Sequence, residues 1–431
     1  MADVVVRQAR SAGVVARGRV RSLAASVFGN ALEWYDWNVY AVFAAYLASA
    51  LFNQADHVSA LLSTFAVFAV GFVTRPLGGV VFGVLADRIG RRAVLVVTML
   101  TTAGSSLVVG LVPDYGHLGT WSSVILLLAR LAQGMGHGGE SSAAYAYVAE
   151  IAPRERRGLW SSSVFLSVSA GTLLATGLGA LLTAVLPPEQ LATWGWRVPF
   201  LLGGLLGLFA LHLRRTAVES EVFESSSVVD SPQWSRARLL GSGVRIVVIS
   251  AGIGVMYYSW IVFGVGNAVS RHGMPGGTAF LAAFLAQLLV LFALPLWGRL
   301  SDRIGRRPVV LVFAVGSAVL AFPITGIVTD AGWTLFAAEF LASVLWAAVA
   351  SVYPAVVSEL LPTRSRSKGI GIASSLSNAV FGGTAPYLGE LLEAQHLSWV
   401  FTCYIIVLCL LGALAVLTMP ETRGADLSAL D

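Results

Sequence analysis

Long uncharged apolar runs alternate with short polar turns along almost the whole chain. Twelve runs stand out, at 25–50, 59–85, 93–112, 121–149, 158–186, 197–213, 245–269, 277–298, 309–328, 333–357, 369–392 and 398–418. A helix that crosses a bilayer needs about 20 predominantly apolar residues, so each run predicts one. The longest polar stretch, 214–243, holds Glu219, Glu221, Glu224, three serines at 225–227, Asp230 and Pro232. That is a linker composition. It divides a first half, 23–213, from a second, 244–419, with six predicted helices each and short tails at 1–22 and 420–431.

The polar turns repeat. Gly83-Val-Leu-Ala-Asp87-Arg88-Ile-Gly90-Arg91-Arg92 follows the second run, and Gly298-Arg-Leu-Ser-Asp302-Arg303-Ile-Gly305-Arg306-Arg307 follows the eighth, 215 residues on. Glu150-Ile-Ala-Pro153 ends the fourth run and Glu359-Leu-Leu-Pro362 ends the tenth, an offset of 209 (359 minus 150). Two duplicated landmarks in the same order indicate a duplicated chain.

Composition supports a multi-pass membrane protein. Of 431 residues 56% are hydrophobic and 12% charged, and mean hydropathy is +0.77. A soluble domain carries about 25% charged residues. The pI of about 9.4 does not point to nucleic acid, because the basic residues are not spread over one face. Of 28, 24 fall in seven clusters: the N-terminus, 88–92, 154–157, 214–245, 299–307, 364–368 and Arg423. The turns near 53–57, 113–120, 329–332 and 394–397 carry no Arg or Lys. The positive-inside rule then predicts cytoplasmic clusters and two cytoplasmic termini, in a cytoplasmic (inner) membrane. The basic first 22 residues lack the apolar core of a signal peptide and read as a cytoplasmic tail. Cys403 and Cys409 have neither metal-ligand spacing nor a disulfide pattern. No nucleophile motif or phosphate loop appears, so an enzyme is not expected.

Each charged turn has a physical logic. Gly90 can reverse the chain in a left-handed conformation. Asp87 can pair with Arg or accept hydrogen bonds from a neighbouring helix's N-terminus. Arg88, Arg91 and Arg92 can hold the facing half in one arrangement and release it in another, or anchor the helices at the headgroups. With their second copy these turns predict a cytoplasmic gate: Gly83, Asp87, Arg88, Gly90, Arg91, Arg92, Glu150, Asp302, Arg303, Arg306 and Glu359. The turns resemble the signature loop of the major facilitator superfamily. The resemblance covers about 20–420 and implies an all-α membrane fold: twelve transmembrane helices in two pseudo-symmetric six-helix halves that alternate access to a central cavity.

Charges inside the runs need a partner or a function, since each costs about 2.5–3.5 kcal/mol or more at the bilayer centre. The first run holds Asn30, Glu33, Trp34, Tyr35, Asp36, Trp37, Asn38 and Tyr40. Arg75-Pro76 lies twelve residues before Asp87, about 18 Å of helix. Arg130, Gln133, Gly134, His137 and Glu140 form one stripe on the fourth run. These segments resemble the metabolite–proton symporter branch of the superfamily, through Gly29-Asn30 with Glu33-Trp34-Tyr35-Asp36, Arg75-Pro76-Leu-Gly78-Gly79, Arg130-Leu-Ala-Gln133-Gly134, Gly138-Gly139-Glu140, Trp196-Arg197-Val-Pro199-Phe200 and Glu359 with Pro362-Thr363-Arg364. His137 and Trp37-Asn38 depart from the family pattern.

The resemblance implies import of an organic acid such as shikimate, a dicarboxylate or an aromatic acid, or of a proline- or betaine-like zwitterion. It implies no cofactor beyond the proton as coupling ion, and a monomer surrounded by lipid. A carboxylate favours a guanidinium fork. Substrate-binding candidates are Arg75, Tyr40, Trp34, Trp37, Gln133, Asn378 and Arg197, the last either at the entrance or an interface anchor. Proton-coupling candidates are Glu33, Asp36, Arg130, His137, Glu140 and Glu339; His137 is equally readable as structural. Glu339 occupies the repeat position of Arg130, which predicts a contact between them across the cavity. A non-transporting membrane sensor is the alternative from another class.

Overall fold

The computed structural model describes residues 30–89, 91–137, 140–216, 234–362 and 366–427. Twelve helical rods follow the twelve apolar runs, and the described residues contain no strand. In the first half they are α1 (30–42, then Ala44–Leu51), α2 (His57–Ile89), α3 (Arg91–Leu111), α4 (Thr120–Gly136, then Glu140–Ile151), α5 (Arg157–Val185) and α6 (Arg197–Thr216). The second half has α7 (Arg236–Met256, then Gly264–His272), α8 (Gly276–Ile304), α9 (Arg306–Ile327), α10 (Gly332–Glu359), α11 (Arg366–Ser377, then Ala385–Ala394) and α12 (Ser398–Leu417). Residues 236–243 of the expected linker are the first turns of α7.

Seven rods, α2, α5, α7, α8, α9, α10 and α12, are long and apolar enough to cross a membrane, and α3 and α6 contain shorter apolar stretches. The other three, α1, α4 and α11, come in two pieces. Large apolar side chains such as Leu111, Leu128, Val185, Phe292 and Leu414 are exposed. A water-facing surface avoids such contiguous apolar area, whereas lipid accepts it.

Two of the interruptions in the predicted runs are π-helical turns. In α7 the chain widens into a π-helical turn, Tyr257–Val262, closed by Phe263 N–H to Tyr258 C=O at 3.1 Å. In α11 the turn is Asn378–Gly382, closed by Gly383 N–H to Asn378 C=O at 2.7 Å. Such turns carry an extra residue and often mark functional sites. Both present side chains to the space between the halves.

The halves meet mainly along α5 and α8. A Cβ on Gly158 would lie 2.7 Å from the carbonyl oxygen of Gly298, so α5 and α8 cross there backbone to backbone. At their other ends Phe280 and Phe284 fill the space beside Gly179 and Gly177. Within the first half, Gly171 lets α5 approach the backbone of α1 at Ala31 and Tyr35. Small residues at helix crossings are the usual means of association in lipid, where van der Waals packing drives contact.

Candidate functional site

A small cavity of about 40 Å³ lies between the halves. Its walls are mostly aromatic: Trp34 from α1, Tyr145 from α4, Phe165 from α5, Tyr257 and Tyr258 from the α7 π turn, and Trp346 from α10. Tyr257 stacks on Trp346 with centroids 5.1 Å apart and meets Trp34 edge-on at 6.1 Å. Its hydroxyl accepts from Asn38 at 2.8 Å and lies 2.9 Å from Thr172 Oγ1; Asn38 also donates to Thr172 at 2.7 Å. This triad ties α1 and α5 to α7 across the cavity. On the far wall Tyr353 bonds Ser250 and, at 2.7 Å, Ser374, while Asn378 lines the edge.

Arg75 stands beside this cavity among rings. Its guanidinium carbon is 3.9 Å from the Trp37 centroid, 4.7 Å from Phe72 and 5.8 Å from Trp34. Arg130 shares the Trp37 ring at 4.2 Å and covers Tyr40 at 4.3 Å. Among the described residues no carboxylate lies within ion-pair distance of either arginine. Arg130 donates instead to Gln133 Oε1, and Gln133 donates from Nε2 to Asp36, which also accepts from Ser106. The Arg130 charge and the Asp36 carboxyl are therefore linked through an amide. His137 ends the first piece of α4, its Nδ1 2.8 Å from the Gln133 carbonyl oxygen, and its Nε2 lies 3.8 Å from Glu33 Oε1. The Tyr40 hydroxyl donates to the Thr64 carbonyl at 2.9 Å.

The fold thus gathers Glu33, Trp34, Asp36, Trp37, Tyr40, Arg75, Arg130, Gln133 and His137 into one cluster in the first half. The part of the α4 polar stripe from Arg130 to His137 faces α1 and α2 rather than the cavity itself. Two candidates lie elsewhere. Arg197 donates to the Val112 carbonyl at 2.7 Å and pairs with Asp114, with its guanidinium 4.2 Å from the Trp196 ring. Its partners Val112 and Asp114 lie in the turn just after α3. Glu339 does not meet Arg130: it packs against Gly264 of α7, and α10 turns it into its own half. Repeat symmetry places residues at equivalent depths, but it does not oblige them to face each other. The side chains of Asp87, Arg88, Arg91, Arg92 and Glu140, the surroundings of Gly83, and Gly90 itself lie outside what the structure describes.

The second charged turn links the two halves. Asp302 accepts from the backbone N–H groups of Gly158 at 2.8 Å and Leu159 at 2.9 Å, and pairs with Arg306 at 2.9 Å. A carboxylate from the second half therefore caps the N-terminus of α5 in the first, where the helix dipole favours negative charge. Gly305 has φ +103°, which an L-residue rarely adopts. Nearby, Arg157 pairs with Glu359 at 2.8 Å and Arg366 with Glu150 at 2.7 Å. The pairs are mirror versions of each other under the internal repeat, each running from one half to the other. Arg303 is exposed, and its carbonyl accepts from Arg423.

The segment after α12 crosses the same face. Thr422 donates to Glu359 at 2.5 Å, Arg157 to the Ala425 carbonyl at 3.0 Å, Arg366 to that of Leu427 at 3.2 Å, and Arg154 pairs with Asp426 at 2.5 Å. Glu421 accepts from the N–H groups of Arg306 at 2.8 Å, Arg307 at 3.0 Å and Arg423 at 3.0 Å. Partial burial pushes its carboxyl up, but those backbone donors outweigh it and hold the group below the ordinary glutamate range. A depressed folded value means that its contribution is full above the unfolded value and is lost as pH falls through the folded one. The stability difference between wild type and Glu421→Gln, followed by thermal unfolding, should therefore hold above about pH 5 and narrow as pH falls through and below about 4.3, the unfolded glutamate value.

Sequence reading missed Arg157 and Arg366 as the partners of Glu359 and Glu150, although a signal was present: Glu150 precedes Arg157 by the same seven residues that separate Glu359 from Arg366. It also missed Tyr257, Tyr258 and Tyr145, which look like ordinary apolar-run aromatics until the π turn and helix rotation aim them inward.

Comparisons with known proteins agree with this architecture. Residues 22–226 match the family described as sugar (and other) transporter, and residues 249–429 match the major facilitator superfamily. An α-ketoglutarate permease of Escherichia coli (strain K12) is 30% identical over 94% of this chain and 94% of its own length. A putative proline/betaine transporter of Staphylococcus aureus (strain MSSA476) is 34% identical over 89% of this chain and 84% of its own. The crystal structure of a D-xylose–proton symporter superimposes with a TM-score of 0.73, 22% identity, and coverage of 94% of this chain and 98% of that one. That likeness establishes the twelve-helix fold. The chain is a multi-pass membrane transporter and belongs to the metabolite–proton symporter family of the major facilitator superfamily.

Proposed function

We propose that the protein is a proton-coupled symporter that imports a small organic acid across the cytoplasmic membrane by alternating access, as a monomer with both termini in the cytoplasm. The observation that carries the substrate class is Arg75, a guanidinium beside the central cavity with no acid within ion-pair distance among the described residues. A carboxylate entering the cavity supplies the missing counter-charge in a bidentate geometry. The aromatic walls exclude water and strengthen that contact. Asp36, joined to Arg130 through Gln133, and Glu33, beside His137, supply carboxyls whose protonation changes the charge next to the arginine pair by one. Substrate binding and proton binding are thereby coupled through the same field. Release on the charged-turn side requires the Arg157–Glu359 and Arg366–Glu150 pairs to part.

The test is uptake in proteoliposomes under an imposed pH gradient, screening shikimate, dicarboxylates, citrate, aromatic acids and betaine. Carboxylate accumulation that follows the gradient supports the reading; uptake indifferent to its collapse removes proton coupling. A second reading, import of a proline- or betaine-like zwitterion, draws on the aromatic box of Trp34, Tyr257 and Trp346, which could hold a quaternary ammonium by cation–π attraction while Arg75 takes the carboxylate. Competition of betaine against the preferred acid separates the two.

A further inference from the structure

The second half contains an acid that the substrate site does not use. Glu339 lies in α10, seven residues from its start at Gly332, about 10 Å from the face opposite the charged turns. It is 0% exposed, and neither carboxyl oxygen has a hydrogen-bond partner. A charge so placed, with no donor or cation to meet it, is expensive in a membrane interior, so the carboxyl needs an occupant.

Two cavities approach it from opposite sides. On the face away from the charged turns, a cavity of about 450 Å³ opens among α7, α9, α11 and α12. Asn267, Arg271, His272, Thr325 and Glu393 line it, so it accepts water. Gly264 and Leu335, one turn before Glu339, form part of its wall. A Cβ on Gly264 would sit 2.3 Å from Glu339 Oε1. Gly264 therefore lies against the carboxyl and also forms part of the cavity wall.

Along α10 in the other direction, Ser343 accepts from Gln287 Nε2 at 3.3 Å, and the Gln287 Oε1 has no partner. One turn further, Trp346 stacks on Tyr257 and lines the central cavity. At this end of the surrounding helices the ionisable groups are Tyr257, Tyr258, Arg271 and His272 on α7, Tyr387, Glu390 and Glu393 on α11, and Cys403, Tyr404 and Cys409 on α12; the charged groups of α8 and α9, Arg299, Asp302, Arg303, Arg306 and Arg307, lie at the charged-turn end. Arg271 is engaged with Glu390 at 2.7 Å and Glu393 at 3.6 Å. None of these groups bonds to the Glu339 carboxyl.

We propose that Glu339 is a second binding site for the coupling proton, in the half opposite Arg75, loaded from outside through the cavity behind Gly264. The inference rests on the proton coupling proposed above, and it assigns that coupling a residue and an entry route in the second half. Loading Glu339 makes α10 neutral beside the Trp346–Tyr257 stack, which joins it to the substrate cavity and, through Asn38 and Thr172, to the first half.

The test has two arms. In the first, the full-length protein in proteoliposomes is treated with dicyclohexylcarbodiimide, which adds to protonated buried carboxyls as a stable N-acylurea, and its peptides are analysed by mass spectrometry. Glu339 should be modified in wild type, less at alkaline than at mildly acidic external pH, and Gly264→Ala should suppress the reaction. A wild-type Glu339 that stays unmodified, or is modified equally at every pH, overturns the proposal. In the second arm, Glu339→Gln should lose about tenfold in substrate accumulation per unit of imposed pH gradient, one proton's worth or 1.36 kcal/mol. Exchange without a gradient should persist. Wild-type accumulation by this variant also overturns the proposal. If the variant does not fold, the labelling arm decides. If instead the coupling reading fails, wild type itself shows no gradient-driven uptake, whatever Glu339→Gln does.

Discussion

Arg75→Gln should lower carboxylate uptake by about two decades or more and leave the protein folded. The loss follows from two charge-assisted hydrogen bonds of about 1.5–3 kcal/mol each, with about 1.4 kcal/mol per decade. Folding should survive because Arg75 has ring partners and no acid partner among the described residues. Its removal strands no carboxylate, and it relieves repulsion from Arg130 on the same Trp37 ring. Arg75→Lys keeps the charge but loses the planar fork, so it should fall between the two. Uptake kinetics together with thermal unfolding read both halves of the expectation. Full carboxylate transport by Arg75→Gln would move the substrate anchor elsewhere.

Glu359→Ala should have the opposite profile, a large loss of stability of the closed gate with the substrate cavity chemically unchanged. The Glu359 side chain is 0% exposed and its partner Arg157 3%. Glu359 also lies 3.6 Å from Arg306 and accepts from Thr422. Removing it leaves two buried guanidiniums short of counter-charge, a change that costs about 3–5 kcal/mol for a buried pair. The molecule can avoid part of that cost by opening on the charged-turn face. A cysteine at Ser374 in the cavity wall, in a Cys403→Ser, Cys409→Ser background, should then react faster with a thiol reagent added from that face. Asp426→Ala is the internal control. Its pair with Arg154 is 54% and 34% exposed, so the effect should stay within about 1 kcal/mol. Equal effects from the two variants would mean that burial does not set the strength of this gate.

The two expectations draw on different kinds of information. That Asp302 would serve a neighbouring helix's N-terminus could be stated from the turn alone, as a carboxylate at a helix end next to glycine and arginine; that the helix is α5 could not. Likewise, Glu150 and Glu359, each seven residues before an arginine, mark four equivalent charges. Only the packing of the halves about their pseudo-two-fold decides that each acid takes the arginine of the opposite half. Arg130 has Gln133 one turn away on its own helix and takes it, with Asp36 beyond, in place of the distant Glu339. Arg197 finds Asp114 and the Val112 carbonyl at the outer helix ends.

The linear pattern was sufficient for the number of helices, their order, the duplication and the cluster of charges in the first half. These depend on local quantities: apolar length against bilayer thickness, basic residues at one face, and residue spacing on a helix. Partner choice, the π turns at Tyr257–Val262 and Asn378–Gly382, and the isolation of Glu339 behind Gly264 came from the tertiary structure. Each depends on how helices rotate and approach one another, and at that scale a glycine crossing or one extra residue in a turn redirects a side chain from one neighbour to another.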